Sequence, residues 1–187
     1  MTRTTTIAAG LLLGLAAIAS TAGCKRSKHA RVSSYTAPPV PAGFAEQGGA
    51  GWRMAVPTTW KEAKTPAAWA VSDPQAVDDF HANVNVVTEP FTGDSYEYAK
   101  ANENALRREP RAAVEVVRED VVDGDPTLVT ESRWAATPPS TVPYRTMQTF
   151  LSSKGTGYVV TCSVSSSAFE RYRTTCESVL HSFAVER

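Results

Sequence analysis

The chain has 187 residues, with 19 basic and 19 acidic side chains, three histidines and three cysteines. That length suits one domain with a proper hydrophobic core and a short lead. A formal net charge of zero excludes the strong basic excess that a nucleic-acid binder needs.

The first stretch is an address. Arg3 supplies one positive charge, residues 7–18 are apolar, and small residues lead to Thr21-Ala22-Gly23-Cys24. A charged start, about a dozen apolar residues and a small-residue cleavage site make a secretory signal, too short to span a bilayer. The tetrad resembles the lipobox of bacterial lipoproteins, in which signal peptidase II cuts before the cysteine and its thiol carries a diacylglycerol. Thr21 stands where that box usually has leucine. Residues 1–23 are therefore expected as a signal peptide and Cys24 as the lipid attachment point. Residues 24–42 are polar and then proline-rich, and read as a flexible tether. Lys25, Arg26, Lys28 and Arg31 lie beside the lipid, where anionic headgroups would attract each by about 1 kcal/mol; otherwise they are solvated linker charge.

The globular domain is expected over 43–187. Residues 44–47 form a short strand candidate, and Gly48-Gly49-Ala50-Gly51 a turn. Trp52, Met54 and Val56 alternate with Arg53 and Ala55 in a half-buried strand that Pro57 stops. Residues 67–72 and 83–89 are further strands, with Asp73-Pro74 between them as a turn. Asp94 and Glu97 have capping-box spacing, opening a helix whose stripe is Tyr98, Ala99, Asn102, Ala105 and Leu106, ended by Pro110. Residues 112–122 and 126–136 flank Asp123-Gly124, a strong hairpin signal. After a loop at 137–143, strands are expected at 144–152 and 158–165 around a turn at 153–157. Ser167 with Glu170 reads as a second capping box. Phe169, Tyr172, Cys176, Val179, Leu180 and Phe183 then fall on one face of a closing helix. Hairpin connections and strands apolar on both sides predict an α+β fold: a mainly antiparallel sheet of about six strands with helices on both faces, an α/β/α sandwich.

Chemistry-bearing residues are few. The sequence lacks His-Glu-x-x-His, Gly-x-Ser-x-Gly and a phosphate-cradling glycine loop, so no catalytic residue, cofactor or metal site is assigned. Asp78, Asp79 and His81 put two carboxylates near an imidazole, from which a surface metal site could be built, but adjacent acids before a strand are far more often a solvated loop. His181 suits the C-terminal end of a helix dipole, and His29 lies in the tether. Trp52, Trp60, Trp69 and Trp134 read as core and edge packing, or as the walls of a ligand pocket. Cys162 shares a strand face with Tyr158, Val160 and Val164, and Cys176 lies on the apolar stripe of the last helix. In an exported chain they are expected to form a disulfide in the seam between them.

Gly51-Trp-Arg-Met-Ala-Val-Pro-Thr-Thr-Trp60 resembles the opening strand and Pro-x-x-Trp turn of the PsbP/Mog-type domains. Asn83-Val-Asn-Val-Val is similar to their second main strand. Residues 158–161, Phe169, Tyr172 and Ser182-Phe183 are similar to their closing strand and helix. The resemblance covers roughly 43–187 and implies an antiparallel sheet between helices. It also implies binding rather than catalysis, since better-known relatives bind a photosystem or a nuclear-transport GTPase and many bacterial members are lipoproteins. The expected function is thus a lipid-anchored cell-envelope module, attached to the membrane through Cys24, that docks a protein partner. The alternative is a small-ligand or lipid-binding lipoprotein with a pocket between sheet and helices. An unrecognised hydrolase ranks third.

Overall fold

Three two-residue turns set the framework. Asp78-Asp79, Asp123-Gly124 and Lys154-Gly155 all have positive φ at both positions, the backbone that lets a hairpin close without splaying its right-twisted strands. A computed structural model describes residues 29–63, 65, 67, 69–136 and 142–187. The described elements are β1 (Phe44–Gly49), β2 (Trp52–Pro57), β3 (Lys61–Glu62), β4 (Trp69–Val77), β5 (Phe80–Pro90), α1 (Ser95–Leu106), β6 (Ala112–Val122), β7 (Asp125–Trp134), β8 (Tyr144–Ser153), β9 (Thr156–Ser165), α2 (Phe169–Ser182) and β10 (Ala184–Val185).

The strands build two antiparallel sheets rather than one. The larger runs β3-β4-β5-β9-β8-β7-β6, and the smaller β1-β2-β10. Pairing in the middle of the larger sheet is long, with ten aligned positions between β8 and β9. α1 covers one face: Tyr98, Ala99 and Leu106 pack on Leu128, Trp134 and Phe150. α2 and the small sheet together cover the other. There Phe169, Cys176, Val179, Leu180 and Phe183, with Trp52, Met54 and Val56, meet Val84, Val86, Met147, Leu151, Val160 and Val164. The fold is the expected mainly antiparallel α+β arrangement with a helix on each face, and the small sheet completes the second layer.

Three local readings change, and one of the two expected helix caps forms. Asp73-Pro74 lies inside β4, at a register shift between Ser72 and Ala76, because a bulge absorbs the proline that cannot donate to the ladder. The Asp94 carboxylate does cap α1, accepting the Glu97 N–H at 2.7 Å. The capping box at Ser167 does not form: a 3₁₀ turn at Ser166–Ala168 precedes α2, Ser167 Oγ donates to the Asp78 carboxylate, and Glu170 pairs with Arg173 at 2.9 Å. Residues expected only as tether make specific contacts. The His29 ring stacks on Tyr96 at 3.9 Å, the Val32 N–H donates to Gly124 O at 2.7 Å, and Arg31 reaches the Asp123 carbonyl.

Candidate functional site

Pro57 ends β2 because it has no N–H to continue the ladder. The chain turns through Thr58 and Thr59, with the Trp60 N–H donating to Pro57 O at 3.1 Å, and crosses from the small sheet to the edge of the large one. β4 then returns Trp69 beside it. Between the two sheets a cleft of about 390 Å³ remains, lined by Ala45 and Gln47 of β1, Val56 and Pro57 of β2, Thr58, Trp60, Lys61, Glu62, Trp69 and Val71. This is near the lower end of ligand-pocket volumes. Its cause is local: the residues that β1 turns toward the seam include only the small Ala45 and the polar Gln47, too little to fill the space opposite two indoles. Lys61 and Glu62 are exposed at the rim, so the mouth carries both signs of charge over an apolar floor.

The four tryptophans divide. Trp60 and Trp69 line the cleft. Trp52 backs it, edge-on to Trp69 at 5.1 Å and stacked on Phe183 at 5.9 Å. Trp134 lies with the α1 side of the core, parallel to Tyr144 at 5.8 Å, and its Nε1 donates to Thr146 Oγ1 at 3.0 Å.

The remaining candidates hold structure together. Asp78 and Asp79 form the β4–β5 turn, and the His81 ring nitrogen Nδ1 sits 2.8 Å from Asp73 O. Among the described residues no three His, Cys, Asp or Glu side chains gather to hold a metal. Cys162 and Cys176 are joined by a disulfide with Cα atoms 5.6 Å apart, and both are fully buried. Cys24 lies outside the described residues. No described helix is long and apolar enough to cross a membrane.

Two ion-pair clusters flank α2. Glu131 is buried at 3 % exposure, and Arg173 Nη1 lies 2.6 Å from it, while Arg145 and Arg173 lie over the Phe169 ring at 3.9 and 4.7 Å. Further along, His181 Nε2 lies 3.0 Å from Asp120 Oδ2, with Arg118 and Glu177 beside them. The hydrogen bond that His181 donates to the Asp120 carboxylate raises its pKa above the ordinary histidine value, against the opposing effect of burial. Burial pushes Asp120 up, but hydrogen bonds from His181 and the Val121 N–H outweigh it and hold the carboxyl below its usual value. The signs fix a window. The His181 contribution is fully present below about pH 6.5 and disappears as pH rises through the raised folded value. The Asp120 contribution is present above the ordinary carboxylate range and is lost as pH falls through the lowered one. His181→Gln should therefore destabilise most near pH 5–6, with the deficit shrinking in alkaline solution. Urea midpoints measured across pH decide this, and a deficit independent of pH would contradict it.

No sequence-family description and no curated protein sequence matches the chain. Solved structures do. The Synechocystis PsbP protein CyanoP aligns with a TM-score of 0.53 at 15 % identity, over 78 % of this chain and 94 % of its own. LpqN of Mycobacterium tuberculosis, described as involved in cell envelope biogenesis, aligns with a TM-score of 0.56 at 13 % identity, over 77 % and 92 %. A putative regulator of unknown function from Pseudomonas aeruginosa reaches 0.51 at 12 %, over 77 % and 97 %. At these identities the likeness shows the fold alone: this chain has a PsbP-like α+β fold.

Proposed function

We propose that the chain is a lipid-anchored lipoprotein of the cell envelope whose domain is a non-catalytic module for docking another protein. The observation that carries this reading is the half-open cleft. It lies between the two sheets with an indole floor and a charged rim, so it admits a side chain projecting from a partner's surface. The likeness in fold to a protein of cell envelope biogenesis supports the envelope setting, and Thr21-Ala22-Gly23-Cys24 supports the lipid anchor.

The test is site-specific photo-crosslinking in native membranes, with the crosslinker at Gln47 on the cleft wall and, as control, at exposed Arg108. Discrete protein adducts from position 47 are expected. Adducts to lipid alone, or adducts equally frequent from both positions, would overturn the reading. Lipid attachment has its own readout. Cys24→Ser should abolish incorporation of labelled fatty acid and release the protein from membranes. Normal labelling in that variant would remove Cys24 as the anchor.

A further inference from the structure

The two sheets end at four edges, and three are blunted. β6 carries a register shift between Val114 and Val116, with Glu115, Arg118, Glu119 and Asp120 along it. The β3–β4 edge is short at Lys61 and Glu62 and then broken by the bulge around Pro74. β10 is two residues long. Bulges, charges, proline and brevity are the devices by which natural sheets refuse further strands. β1 has none of them beyond Glu46: it pairs with β2 in continuous register over six positions, it contains no proline, lysine or arginine, and residues 46–49 are exposed.

The register also says which backbone groups are free to pair. The Ala55 N–H is directed away from β1, since it donates to Ser182 Oγ at 2.8 Å. Thr58 N–H donates to Gly43 O at 2.9 Å, which places the hydrogen-bonded pairs at Gly43, Ala45, Gln47 and Gly49. Glu46 and Gly48 therefore point their N–H and C=O groups outward, two residues apart along the strand. The side chains on the seam side of the same strand, Ala45 and Gln47, line the cleft. A strand added beyond β1 would continue that face, so its inward side chain would enter the cleft beside Trp60 and Trp69.

We propose that β1 takes up an extended segment of a partner protein as a fourth strand of the small sheet, with an apolar side chain of that segment seated on Trp60 and Trp69. This rests on the reading of the domain as a docking module and specifies the chemistry of what docks. Backbone pairing selects an extended chain without proline at the paired positions, and the cleft selects one apolar residue flanked by outward-facing ones. Glu46 does not guard the edge, because its carboxylate turns to Arg53 of β2 at 3.5 Å.

The probe is a random octapeptide library displayed on phage and selected on the purified chain. Enriched peptides should alternate apolar and polar residues and lack proline at the centre. Their binding should be unchanged in Glu46→Thr and weaken at least about tenfold in Glu46→Pro, which removes one outward donor and spares the β1–β2 ladder. Ala45→Leu, which fills the cleft from the wall, should weaken the same peptides. The amides of Glu46 and Gly48 should gain protection from hydrogen exchange when peptide binds; in the unsubstituted chain this decides the matter if Glu46→Pro fails to fold. No enriched peptide, equal binding to the Pro and Thr variants, or unchanged exchange at Glu46 and Gly48 overturns the proposal. A dimer in sedimentation that Glu46→Pro dissociates also overturns it, since a second copy then owns the edge. Protein adducts from position 47 that persist in Glu46→Pro would remove strand addition while keeping the docking function; loss of both would remove the two together.

Discussion

Replacing Cys162 and Cys176 together by alanine is expected to lower stability by about 3 kcal/mol, the chain-entropy value for closing a loop of roughly fifteen residues. The bridge spans 14 residues of sequence, from the middle of β9 to the middle of α2, across the seam that both elements bury. In a domain of this size such a loss lowers Tm by about 6–12 °C. Both cysteines are fully buried, so reductant should act on the folded protein slowly and on the unfolded protein quickly. Thermal melts of the double variant measure the loss of stability, and intact-mass alkylation before and after denaturation measures the access of reductant. Two alkylatable thiols in the folded, unreduced chain would remove the bridge from the solution structure and leave packing alone to hold the seam.

Phe183→Ala should cost about 3–5 kcal/mol, the range for truncating a buried phenylalanine. Phe183 is 1 % exposed and sits where α2 ends. Its ring stacks on Trp52 of β2 and lies 6.0 Å from Tyr158 of β9, so one side chain joins the helix to both sheets. Beside it, Ser182 Oγ accepts the Ala55 N–H. The small sheet has only three strands, and a sheet of that size depends on what it packs against. Hydrogen exchange should accordingly accelerate more in β1 and β2 than in β7 and β8. Phe183→Leu, which keeps most of the volume, should lose less than about 1.5 kcal/mol. A loss under about 1 kcal/mol in the alanine variant would show that the sheets cohere without this ring.

Periodic signals in the sequence identified most of the framework. Asp123-Gly124 announced its hairpin because few residue pairs tolerate positive φ twice in succession. The stripe of α2 was readable because its apolar residues recur at helical spacing and are buried where expected. What was hidden depends on contacts remote in sequence. β3 is two residues long and exists only through its pairing with β4. The separation of β1, β2 and β10 into their own sheet follows from the turn at Pro57, which the sequence marks as a stop without saying where the chain goes next. Glu131 is a buried charge with no local signature; its arginine partners, at 145 and 173, explain its burial only once the fold is known. Trp60 and Trp69 stand out in the sequence as residues, but their meeting across a cleft depends on the crossing between sheets.

One contact near the start of the described chain bears on reach. Arg31 and Arg187 both engage the turn at Asp123 and Asp125. For a chain held at Cys24, the seven residue steps to Arg31 span at most about 25 Å, against about 68 Å for the nineteen steps to Gly43. On the proposed anchor at Cys24, the β6–β7 turn is on a leash little more than a third as long while the Arg31 contacts hold. When they open, the full leash is paid out and the cleft can sweep a far larger volume. Exposed guanidinium–carboxylate pairs weaken as salt rises, so on the proposed anchor at Cys24 the radius over which the domain searches would widen with ionic strength.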